Sequence, residues 1–137
     1  EVKPKNPTHL ILMGGTNDIS LNIPIETILG NVLAISRHAK RINCQIILGI
    51  PPSSYLEDDN FKSEIFLGPG EFQTQLKKLQ DSLRNFALED DLPYIDFSNL
   101  LRKKDFLDDG THPNETGHLA IKYHVLKALD SLSLRKN

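Results

Sequence analysis

An open α/β fold with a parallel sheet is what this sequence predicts, on three observations. Short apolar runs alternate with longer segments whose apolar residues recur at spacings of three and four. The run at 44–50 shows little alternation, as expected of a strand covered by helices on both faces of a sheet. The connections are long enough for parallel crossovers.

Residues 1–7 are polar and carry two prolines, after which Thr8-His9-Leu10-Ile11-Leu12-Met13 reads as a buried strand running into a loop at Gly14-Gly15. Pro24 stands close to a helix start. Ile25, Ile28, Leu29, Val32, Ile35, Ala39 and Ile42 then draw one apolar face of a helix. The second strand, at 44–50, is stopped by Pro51-Pro52. Residues 53–70 form a long connection with an acidic patch at Glu57-Asp58-Asp59, either a segment that shapes a binding site or a solvated surface loop.

Phe72, Leu76, Leu79, Leu83 and Phe86 mark a second helix that ends around 89–91. Leu92-Pro93 introduces a third strand, Tyr94-Ile95-Asp96-Phe97, and a connecting segment leads to Asp109. A final helix covers 114–132, and Lys122, Lys127 and Arg135 give its later part the positive charge that suits a carboxyl end.

A chain of 137 residues fits one domain, 1–137, and can bury a core without disulfides or metal. Its 39% apolar and 25% charged residues are those of an ordinary globular chain. A net charge of -2 with scattered Lys and Arg leaves no footprint for nucleic acid. The apolar runs are too short to form a membrane segment. Cys44, the single cysteine, reads as a small core residue.

In open α/β sheets ligands bind beyond the carboxyl ends of the strands, and two polar stretches fall there. Asp109-Gly110-Thr111-His112-Pro113-Asn114 places an acid three residues before a histidine, close enough to hydrogen-bond its ring across a tight turn. A histidine held so at one nitrogen can take a proton at the other, the base half of a serine-type triad. Asp108 is expected to be solvated, and the stretch is also plain turn chemistry. In Gly14-Gly15-Thr16-Asn17-Asp18 the Asn17 amide can donate to a developing oxyanion, or merely cap a turn, with Asp18 bracing the loop. Asp18, Asp108, Asp109, His112 and His118 match no zinc spacing, and no cofactor is implied.

The two stretches together resemble the SGNH hydrolases, the GDSL family of esterases and lipases. The family's Gly-x-Asn-Asp block matches Gly15-Thr16-Asn17-Asp18, and its Asp-x-x-His block matches Asp109-Gly110-Thr111-His112. The resemblance runs over nearly the whole chain and implies a flavodoxin-like three-layer α/β/α sandwich. It also implies Asn17 as oxyanion donor, Asp109 as acid and His112 as base. The family's Gly-Asp-Ser block lies upstream of these, yet only thirteen residues precede Gly14 and none is serine.

The chain therefore reads as the carboxyl-terminal portion of such a domain, its N-terminal strand and nucleophile absent. Ser20, Ser53 and Ser54 are the local substitutes weighed for the nucleophile, none in a sharp strand-to-helix elbow. The expected activity is hydrolysis of small acyl esters through an acyl-enzyme. The alternatives are a noncatalytic ligand-binding remnant and an acyltransferase. The strand at Leu10 to Met13 is expected to expose an edge open to pairing with a missing N-terminal segment or a second chain.

Overall fold

A computed structural model describes residues 6–56 and 67–134. Along the chain come β1 (His9–Met13), α1 (Thr16–Ser20), α2 (Ile25–Arg41), β2 (Gln45–Ile50), α3 (Pro69–Glu89), β3 (Tyr94–Asp96), a 3₁₀ turn at Lys103–Asp105, and α4 (Glu115–Leu134). The strands form one parallel sheet in the order β1-β2-β3, with Ile11 opposite Ile47 and Gly49 opposite Ile95.

Register decides which layer each strand residue serves. Leu48 and Ile50 face α2 and α3 and share a core with Ile28, Val32, Phe72, Leu76, Leu79 and Leu83. Ile47, Ile95 and Phe97 point the other way, under Ile121, Val125 and Leu129 of α4. The result is helices, sheet, helix: the three-layer sandwich. Each fully buried Leu or Phe of the α3 stripe contributes about 1.5–3 kcal/mol.

Both long crossover helices stop in the same way. Asn43 and Asp91 adopt left-handed backbone with φ of 55° and 51°. The next N–H in each case returns to the helix, Cys44 to the Ala39 carbonyl at 2.9 Å and Leu92 to that of Ala87 at 2.8 Å. This pattern satisfies orphan carbonyls and turns the chain sharply into β2 or β3.

Four expectations need correction. The strand at 8–13 is not buried: Ile11 and Met13 are 37% and 41% exposed, because α4 covers β2 and β3 but leaves β1 at the sheet edge open. Residues 14–18 are not simply a loop, since α1 begins at Thr16. Ile35 is exposed while Ser36 is buried, because the spacing 28, 32, 36, 39 centres the buried face of α2 and leaves position 35 on its flank. The connection read as 53–70 ends earlier, because the second helix begins at Pro69. The acidic patch at 57–59 lies outside the described residues.

Candidate active site

The turn that carries His112 is built from its own main chain outward. Leu107 N–H donates to the His112 carbonyl at 2.8 Å, and Gly110 N–H donates to that of Leu107 at 2.9 Å. Gly110 has φ of 65°, a left-handed conformation that glycine adopts without penalty. Asp109 then completes the turn: its Oδ1 accepts from Thr111 N–H and His112 N–H, each at 2.9 Å.

The other oxygen of Asp109 lies 2.7 Å from His112 Nδ1. An ionised carboxylate only accepts, so Nδ1 carries the proton. Nε2 is left without a protein partner among the described residues, on a side chain that is 63% exposed. Burial alone would push the Asp109 carboxyl up, but the His112 and Thr111 N–H groups and the imidazole outweigh it and hold it below the usual carboxylate range. Asp108 is exposed and takes no part in this bonding.

A polar bracket fixes the stem of the turn. Asn114 caps α4, its Oδ1 accepting Gly117 N–H at 3.2 Å, while its Nδ2 donates to the carbonyls of Lys104 and Phe106. Asp105 is buried; it accepts Arg102 N–H at 2.9 Å and lies 2.9 Å from the Thr116 hydroxyl. These contacts hold its carboxyl below the usual range, the Arg102 N–H foremost. Sequence reasoning missed Asp105 and Thr116. The one available signal was Asn114 immediately ahead of an apolar helical period.

Asn17 sits in the first turn of α1, at the carboxyl end of β1, with an exposed side chain. Its carbonyl accepts from Leu21 N–H and the Ser20 hydroxyl, while its side-chain amide bonds none of the described residues. Gly15 begins the helix with φ of 102°, and a β-carbon there would stand 2.6 Å from Leu79, so glycine lets α1 lie close on α3. Asp18 braces the segment through its main chain, its carbonyl accepting Ile23 N–H at 2.9 Å. No hydrogen bond joins Asn17 to the Asp109–His112 pair, although both follow carboxyl ends of the sheet.

The candidate substitute serines bond residues other than His112. Ser20 donates to Asn17, Ser53 Oγ accepts from Gln80 and Ser54 Oγ from Gln73. No serine hydrogen-bonds the His112 ring among the described residues. His118 lies in the first turns of α4, and His124 Nε2 meets the Asp96 carbonyl at 3.0 Å. A polar cavity of about 550 Å³ lies beside the carboxyl ends of β2 and β3, lined by Ser53, Gln80, Arg84 and Ser98 among others, and does not reach His112.

Residues 1–120 match the GDSL-like Lipase/Acylhydrolase family. The chain belongs to that family. Solved structures agree on the fold. A protein assigned as an acylhydrolase from Bacteroides fragilis superposes with TM-score 0.79 at 19% identity, over 96% of this chain and 65% of its own. A GDSL-like lipase from Bacteroides thetaiotaomicron gives 0.73 at 17% identity, over 96% and 66%. A catalytic mutant of an acetylxylan esterase from Geobacillus stearothermophilus gives 0.68 at 16%, over 93% and 61%. The chain thus spans about two thirds of the length of these relatives. No curated protein sequence matches it.

Proposed function

We propose that this chain supplies the acid, base and oxyanion-binding half of a serine ester hydrolase. The observation that carries the reading is the 2.7 Å contact of Asp109 with His112 Nδ1, on an exposed ring whose Nε2 bonds none of the described residues. A serine attacks the acyl carbonyl as Nε2 accepts its proton, and His112 returns that proton to the leaving alcohol. Water, activated by the same Nε2, then releases the acid. Asp109 keeps the tautomer and stabilises the imidazolium, while the free amide of Asn17 donates to the oxyanion, a contribution of roughly 3–4 kcal/mol. Small acyl esters are the substrate class, in keeping with an acetylxylan esterase among proteins of this fold.

The serine itself comes from polypeptide outside residues 1–137, seated beside the open edge of β1. The greater length of the structural relatives supports a serine outside these residues, and the edge position of β1 leaves a strand to which a further segment could pair. The test is p-nitrophenyl acetate turnover by the polypeptide extended through its native upstream sequence. Turnover lost on His112→Ala and strongly reduced on Asn17→Ala is expected. Turnover indifferent to His112→Ala overturns the reading, and binding of an acylated ligand without turnover favours a noncatalytic remnant.

A further inference from the structure

We propose that Tyr55 is a positioning residue for the Asp109–His112 pair, a role that rests on reading His112 as the base. Asp109 and His112 are both largely exposed, at 47% and 63%, so packing on the two side chains does not fix where the ring points. The main chain of the turn does, and Tyr55 grips that main chain at two places. Its main-chain N–H, which any residue at this position would offer, donates to the Gly110 carbonyl at 2.7 Å, between the two members of the pair in sequence. The approach is so close that a β-carbon on Gly110 would enter the Tyr55 carbonyl.

The second grip is on the stem. The Tyr55 ring lies tilted against Phe106 with centroids 5.5 Å apart, and its hydroxyl donates to the Leu101 carbonyl at 3.4 Å. Phe106 in turn bridges to Pro113, next to His112. Tyr55 is itself firmly placed. Gln73 of α3 donates to the carbonyl of Ser54 at 2.7 Å, Ser54 is buried, and Ser53 N–H reaches the Ser98 carbonyl at 3.3 Å. The sheet and α3 thus reach the base through residues 53–55, far from the turn in sequence. An aromatic ring is the stiff element that this needs, having few torsions to immobilise.

Imidazole ¹⁵N and carboxyl ¹³C NMR on this chain tests the assignment without requiring turnover. In the parent, neutral His112 carries its proton on Nδ1, and Asp109 titrates below the ordinary range. Tyr55→Phe keeps the ring and both signatures. Tyr55→Leu and Tyr55→Ala keep the main-chain bond to Gly110 but remove the ring from Phe106 and the hydroxyl from Leu101, so they weaken the tautomer preference and let the Asp109 titration rise part of the way toward its ordinary value. The resonances of His124, held on Asp96 in another layer, stay unchanged and report an intact fold. If Tyr55→Ala does not fold, Tyr55→Leu, which retains an apolar contact for Phe106, decides alone. A folded Tyr55→Leu chain with the parent's tautomer and Asp109 titration overturns the proposal. Absence of esterase activity in the extended polypeptide sinks the functional reading and leaves these signatures untouched.

Discussion

Asp109 holds His112 at two points, the ring at 2.7 Å through Oδ2 and the backbone N–H at 2.9 Å through Oδ1. One carboxylate therefore sets both the path of the main chain and the tautomer of the ring. Asp109→Asn separates these roles. The amide oxygen can still accept from the backbone, but the NH₂ group offers a donor to Nδ1 and favours the wrong tautomer. Steady-state kinetics of the extended polypeptide should show kcat reduced by roughly 10⁴-fold, the scale seen when a triad acid is changed this way elsewhere. The unfolding temperature at neutral pH should fall modestly, because the ionised carboxylate held below its ordinary range stabilises the fold.

Acid sensitivity follows from three carboxyls held below their ordinary range. Asp109 and Asp105 are held by the contacts described above; Asp96 is pushed up by burial but brought lower by Arg84 at 2.8 Å and by Ser98. A carboxyl depressed in the folded state binds fewer protons there than in the unfolded chain. Its stabilisation is complete above the unfolded value of about 4 and is lost as pH falls through the native one. Denaturant midpoints should be flat above that value and fall below it. Asp109→Asn should make the fall shallower.

Gly110→Ala tests the close approach of the turn to Tyr55. Alanine meets both a left-handed backbone and the Tyr55 carbonyl. Destabilisation of about 1–3 kcal/mol is expected from such strain, with a lower unfolding temperature. A variant as stable as the parent contradicts the packing described.

The open edge of β1 predicts self-association. Ile11 and Met13 lie on the α4 side of the sheet beyond the cover of α4, and the outer main-chain groups of β1 are unpaired among the described residues. Light scattering at rising concentration should show association, reduced by Ile11→Lys, since a charge on an edge strand opposes pairing. A monomer at every concentration contradicts this.

How much of this was legible in the sequence depends on how local each cause was. The 3–4 periodicity of Phe72, Leu76, Leu79 and Leu83 and the apolar run at 46–50 pointed directly to α3 and β2, because burial against a sheet demands those patterns. The Asp109–His112 contact was legible because a spacing of three closes within one turn. Tyr55, Asp105 and Thr116 were not. Tyr55 meets Gly110 across 55 positions, and nothing in the local pattern marks such a contact. The exposure of Ile11 was hidden because an apolar run reports preference for burial, whereas strand order decides what covers it.

The central claim is that His112, oriented by Asp109, activates a serine lying outside these residues. Intact-mass analysis after fluorophosphonate treatment of the upstream-extended polypeptide addresses it most directly, with His112→Ala alongside and peptide mapping of any adduct. The account predicts a single adduct on a serine upstream of Glu1, absent from the His112→Ala variant. An adduct on Ser20, Ser53 or Ser54, or labelling that persists without His112, would contradict it.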